Sequence, residues 1–92
     1  MVNYVLLGET WVSAGESGNV VAIAETETHI YYVKIHDIYF DTEEAVFKVK
    51  IELYKVDKKT LIKTTTGPVD IEPGQSIQMD EYVVEVPQIT VS

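Results

Sequence analysis

Apolar and polar residues alternate most regularly between Ala45 and Val56. Ala45, Phe47, Val49, Ile51 and Leu53 fall in one phase, and Val46, Lys48, Lys50, Glu52 and Tyr54 in the other. A period of two marks a strand with one face on a core, so this segment is predicted as a strand with its odd positions inward. The polar triplet Asp57-Lys58-Lys59 then predicts a turn. Thr60 to Thr66 returns as a short threonine-rich strand with Leu61 or Ile62 inward, which completes a β-hairpin.

The preceding segment, Ile30 to Phe40, places Tyr31, Val33 and Ile35 on one face and continues with Ile38 and Phe40. The step from Ile35 to Ile38 breaks the alternation. A β-bulge at His36-Asp37 is needed to keep both halves facing the core. A matching break occurs near the C-terminus, where Tyr82, Val84 and Val86 are followed by Ile89 and Val91 across Pro87-Gln88. Proline cannot donate to a strand ladder and belongs at bulges or edges. Setting Tyr31 on Tyr82 superposes Val33 on Val84, Ile35 on Val86, Ile38 on Ile89 and Phe40 on Val91, the register of an internal pseudo-repeat. The competing reading is that two strands with aromatic starts look alike without being related.

Val2 to Leu7, Asn19 to Ala24, Val69 to Ile71 and Ser76 to Met79 complete the predicted strands, punctuated at Gly8, Gly15, Gly18, Gly67-Pro68 and Pro73-Gly74. No segment carries a useful amphipathic helical period. Seven to eight short strands in one domain spanning residues 1–92 predict an all-β fold, an antiparallel two-sheet sandwich of the immunoglobulin-like kind.

Composition narrows the chemistry. The chain of 92 residues is 46% hydrophobic with a formal net charge of -8, which disfavours a nucleic-acid partner, because neutralising phosphates needs clustered cations. All 7 basic residues are lysine, and the missing arginine removes the bidentate clamp for phosphate or carboxylate. Cysteine is absent, so thiol catalysis, disulfides and cysteine-based metal sites are excluded. No stretch approaches the roughly 20 apolar residues of a membrane span. The N-terminal segment lacks the charged and apolar regions of a signal peptide. A cytoplasmic location is expected for a free-standing chain, and an extracellular or cell-surface one for a module of a larger exported protein.

Nucleotide loops, a nucleophile elbow and the zinc-protease motif are absent, and with them the usual signs of an enzyme. His29 and His36 stand seven residues apart, about 23 Å along an extended strand at roughly 3.3 Å per residue, too far to share one zinc without a sharp bend. His36 beside Asp37 offers a base and its orienting carboxylate, without an evident nucleophile. Asp37, Asp41, Glu43 and Glu44 bracket a predicted turn and form a candidate Ca²⁺ site, since Ca²⁺ takes hard oxygen ligands; the alternative is a solvated turn whose charges oppose edge aggregation. Otherwise no cofactor is expected. Trp11, read as a loop residue, is a candidate anchor for a sugar or protein partner or else a plug at one end of the fold. Tyr32, Tyr39 and Tyr54 fall on the outward phase and form a candidate protein-contact face, the alternative being a misassigned register.

Gly8-Glu9-Thr10-Trp11, Tyr32-Val33-Lys34-Ile35-His36-Asp37-Ile38, the strand Phe47 to Lys55, and Gly74-Gln75-Ser76 leading into Tyr82-Val83-Val84-Glu85-Val86 together resemble archaeal surface-layer modules. The chain departs from them in lacking an Asn-x-Ser/Thr sequon and in the extra stretch Val20 to His29. The resemblance implies an extracellular building block of a lattice or sheath, with acidic faces that hold divalent cations. The expected function is therefore a non-enzymatic structural or assembly module that associates with itself. Alternatives are a soluble protein- or carbohydrate-binding module working through Trp11, and a small intracellular or viral accessory protein.

Overall fold

The computed structural model describes residues 3–7, 10–13, 20–86 and 89–91, with side chains described over 20–86. The fold is all-β and antiparallel. Among the described residues there is no helix, hence none long and apolar enough to cross a membrane. The strands are β1 (Asn3–Leu7), β2 (Thr10–Ser13), β3 (Val20–Glu25), β4 (His29–Asp41), β5 (Val46–Asp57), β6 (Lys63–Ile71), β7 (Ser76–Met79), β8 (Tyr82–Glu85) and β9 (Ile89–Val91). They pair in the orders β2-β1-β9, β3-β4-β5-β6 and β7-β8.

The centre of the fold is the long hairpin β4–β5, whose register runs from His29 opposite Asp57 to Asp41 opposite Val46. Valine and isoleucine dominate its inward positions, and their branched side chains suit a pleated, half-buried surface. Val33 and Ile35 of β4, with Val49, Ile51 and Leu53 of β5, are completely buried. Tyr31, Ile38 and Ile71 extend this sheet face, and Ile77, Met79 and Val84 of the β7–β8 hairpin, followed by Val86, pack onto it. Each fully buried aliphatic side chain contributes about 1.5–3 kcal/mol through loss of water contact. Tyr31 and Tyr82, the residues that head the two similar segments, meet ring to ring at 4.4 Å between centroids. Tyr82, Val84 and Val86 thus share one core with Tyr31, Val33 and Ile35.

The break expected at His36-Asp37 is present: the β4–β5 register shifts between Ile35 and Asp37, leaving His36 as the extra residue. Ile38 returns to the core because of it. The companion break at Pro87-Gln88 lies outside the described residues. A second bulge occurs in β6, where the register moves from Leu53 opposite Thr66 to Ile51 opposite Val69, so that Gly67 and Pro68 together oppose Glu52. Gly67-Pro68 is therefore an interruption inside one continuous edge strand, rather than a turn between two strands. An edge is where a sheet accommodates proline.

Leu61 or Ile62, Phe40 and Ala45, expected inward, are placed otherwise. Leu61 and Ile62 are 73% and 63% exposed, because a tight loop follows Asp57 and β6 begins only at Lys63. Leu61 takes a positive φ of 62° and its N–H donates to the Asp57 carbonyl at 2.8 Å, which turns both side chains away from the sheet. Phe40 is 48% exposed, since it sits at the last turn of the hairpin and rests edge-on against Phe47 at 5.1 Å. Ala45 belongs to the turn, with φ of 57°. Trp11 lies in β2 opposite Leu6 rather than on a loop.

Gly67 and Gly74 share left-handed φ values of 96° and 93° but differ in space. A Cβ at Gly67 would meet the Ile51 carbonyl oxygen and the Val69 nitrogen at 3.0 Å, whereas one at Gly74 would meet nothing within 4 Å. Gly74→Ala is expected to cost about 1–2 kcal/mol from backbone conformation alone, and Gly67→Ala distinctly more. Urea unfolding of the two variants measures the difference, and equal costs would refute the close approach at Gly67.

Candidate functional site

The outer face of the four-stranded sheet carries an unusual residue for a polar phase: Glu52, which is 6% exposed. The two bulges explain its burial. On one side the extra residue of β4 brings His36 Nε2 to 2.8 Å from Glu52 Oε1. On the other, past the β6 bulge, the Thr65 hydroxyl donates to Glu52 Oε2 and Lys63 Nζ lies 3.4 Å from the same oxygen. A buried carboxylate is tolerated only when donors and opposite charge replace its water. Burial pushes the Glu52 carboxyl up, but the bonds from Thr65 and His36 and the charge of Lys63 outweigh it and hold the group below the ordinary glutamate value.

Tyrosines cap this cluster. Tyr32 and Tyr54 are cross-strand partners and stack at 5.1 Å with 23° between the rings. Lys63 Nζ stands 4.3 Å above the Tyr54 ring, a cation–π contact that also holds it near Glu52. Burial raises the Tyr54 phenol. Tyr39 lies farther along β4, where its hydroxyl donates to Asp70 Oδ1 at 2.9 Å, which raises its pKa. The three tyrosines singled out from the sequence do share the outer face, Tyr32 and Tyr54 as a pair and Tyr39 apart.

The partner of His36 is Glu52, sixteen residues along the chain, and not its neighbour Asp37. Asp37 Oδ1 instead accepts the Ile38 backbone N–H at 2.9 Å. With Glu52 ionised, His36 Nε2 is the donor and Thr65 also donates. The carboxylate sits between histidine and hydroxyl and accepts from both. The cluster is built to hold a charge in place.

The acidic turn is arranged around a lysine. Asp41 Oδ1 accepts the backbone N–H groups of Glu43 and Glu44 at 2.9 and 3.1 Å. Asp41 Oδ2 and Glu44 Oε2 lie 3.2 and 2.8 Å from Lys48 Nζ. The Glu44 backbone N–H and Lys48 lower the Asp41 carboxyl, while Glu44 and Asp41 raise the Lys48 ammonium. Two of the four candidate Ca²⁺ ligands are thus paired with a cation. Among the described residues no three His, Asp or Glu side chains are placed to hold a metal ion. His29, at the other end of β4, has Thr28 Oγ1 2.7 Å from Nδ1 and Asp57 Oδ2 3.7 Å from Nε2.

Sequence spacing gives no sign of one further carboxylate. Asp80 Oδ2, at the β7–β8 turn, receives the Tyr31 hydroxyl at 2.6 Å and Lys55 Nζ at 2.9 Å. The bond from Tyr31, and then the one from Lys55, lower the Asp80 carboxyl, and the Tyr31 phenol is pushed up to about 12. Comparison of the chain with known families, with characterised proteins and with solved structures finds no match.

Glu52 has a folded pKa below the unperturbed 4.5, so the stability it contributes is present above that pH and is lost as pH falls through the lower, folded value. Glu52→Gln is expected to lower stability at pH 7 by about 1–3 kcal/mol and to flatten the decline of the urea midpoint in acid. An unchanged acid limb in the variant would contradict this assignment. Tyr31 gives a separate signature. An ultraviolet titration should contain a late phenolate step near pH 12, absent in Tyr31→Phe. Its persistence there would place the late step on another ring.

Proposed function

We propose that this chain is a non-enzymatic structural module that assembles with copies of itself, on a two-sheet sandwich of the immunoglobulin-like kind. The observation that carries the reading is the set of large apolar side chains left in solvent: Phe40, Leu61, Ile62 and Val83 are 48%, 73%, 63% and 57% exposed. Single exposed apolar residues are ordinary, whereas the adjacent pair Leu61-Ile62 on a hydrogen-bonded loop is a presented surface. The outer tyrosine pair adds a rigid aromatic patch of the type enriched at protein contacts.

Further support comes from how the polar residues are used. Glu52, His36, Thr65 and Lys63 satisfy one another, as do Tyr31, Asp80 and Lys55, which makes both clusters struts of the fold rather than open reactive sites. In the four-stranded sheet β3 and β6 are the edges, and edge strands are natural points of further pairing. The inner face of that sheet, covered by the β7–β8 hairpin, supports the sandwich reading. The resemblance to archaeal surface-layer modules points to a lattice or sheath, with Ca²⁺ recruited to acidic faces formed between copies.

Sedimentation velocity from about micromolar to millimolar chain, with and without Ca²⁺, tests this reading across the weak-to-moderate affinity range expected of such contacts. The weight-average sedimentation coefficient should rise with concentration, and rise further with Ca²⁺. A strict monomer under every condition would refute assembly.

A further inference from the structure

The hairpin β4–β5 is long enough to hold its two ends about 36 Å apart, at roughly 3.3 Å per residue over β5. Those ends differ in shape and in charge. At one end Phe40 protrudes, 48% exposed, with Phe47 beside it. The turn that follows carries Asp41, Glu43 and Glu44 and no cation between residues 41 and 46. Lys48 engages Asp41 and Glu44, and the Glu43 side chain has no ion-pair partner among the described residues.

At the other end the loop from Asp57 to Lys63 carries three lysines against one aspartate. Asp57 Oδ1 accepts the backbone N–H groups of Lys59 and Thr60 at 2.8 and 2.9 Å, and the Asp57 N–H donates to the Ile62 carbonyl at 3.0 Å. That bonding fixes the loop with Leu61 and Ile62 outward. Next to it lies a depression of about 260 Å³ lined by Glu27, Thr28, Asp57, Lys58, Lys59 and Thr60. Lys58 is engaged by Glu25 at 2.5 Å, while the Lys59 ammonium has no ion-pair partner among the described residues.

A protruding apolar group on one surface that seats in a recess on a different surface makes a heterologous contact, one that extends from copy to copy instead of closing on itself. We infer that the chain assembles head to tail, the Phe40 end of one copy seating in the recess beside Leu61 and Ile62 of the next, with Glu43 meeting Lys59. This deepens the assembly reading and rests on it. The net charge of -8 opposes any association of copies, so a local pairing of opposite charge selects which surfaces meet. The contact is small, held by a few aliphatic and aromatic groups, and belongs with weak, concentration-dependent interfaces.

Variants that each spoil one end, mixed in equal amounts, test the inference. Leu61→Asp/Ile62→Asp removes the tip, and Phe40→Asp removes the protrusion. Each alone should sediment as a monomer at concentrations where the unaltered chain forms a ladder of larger species. Together they should form a one-to-one complex and nothing larger, since each still owns one intact end. Because Phe40 touches Phe47, the surface variants Glu43→Lys and Lys59→Glu provide a second pair. Each should weaken self-association by roughly threefold, and their mixture should regain it.

An unaltered chain that forms oligomers, while neither mixture complements, overturns the head-to-tail contact and leaves assembly standing. Growth that stops at a dimer does the same. A strict monomer removes both readings, and a monomer that instead sediments with phosphatidylserine vesicles assigns the apolar, lysine-bearing tip to an anionic bilayer.

Discussion

A thirteen-residue strand keeps one face on a core only if its side-chain alternation survives its own twist and length. β4 meets that constraint by inserting one residue at His36. Without the insertion Ile38 would turn to solvent and the far half of the central hairpin would lose its buried face. The same insertion drives His36 onto the outer face beside Glu52. One local irregularity thereby sets both the continuity of the core and the geometry of the polar cluster behind it. The second bulge, at Gly67-Pro68, completes the enclosure from the β6 side.

Glu52 also acts as a register lock. Slipping β5 by one residue against its neighbours would carry this carboxylate into the aliphatic core and bring Ile51 or Leu53 out. Its three donors come from two different strands, so they are in reach only in the native pairing. A buried, partnered charge adds little net stability compared with a well-packed apolar residue, but its loss of partners in any misaligned state is expensive. Specificity of pairing is the physical gain, which matters in a sheet whose strands are rich in interchangeable valine, isoleucine and threonine.

The central hairpin was legible in the sequence because the alternation of Val49, Ile51 and Leu53 extends over many residues, and the three-residue step from Ile35 to Ile38 announced the bulge. Leu61 and Ile62 were misplaced for a physical reason: a periodic rule assigns apolar residues to a core, whereas a short loop fixed by Asp57 has no core to offer. Phe40 shows the limit of extending a phase to the very end of a hairpin. Glu52 was invisible as a buried group, since its burial arises from residues 36, 63 and 65, brought together by two bulges rather than by spacing. Asp80 escaped notice likewise, its partners Tyr31 and Lys55 lying on distant strands. The outward phase of Tyr32 and Tyr54 was readable from unbroken alternation, and that of Tyr39 once the break at His36 is counted.

Among the described residues, β7 and β8 share no backbone ladder with the four-stranded sheet. The hairpin is fastened by the apolar contacts of Ile77, Met79 and Val84 and by the two bonds that Tyr31 and Lys55 make to Asp80. Side-chain attachment of this kind can release while the ladder hydrogen bonds of both parts stay intact. The molecule therefore contains a natural seam, along which the hairpin can lift as a unit without breaking either ladder. Amide protons of β7 and β8 would then exchange with solvent through a cheaper opening than those of β4 and β5, giving the domain two tiers of cooperativity within a single core.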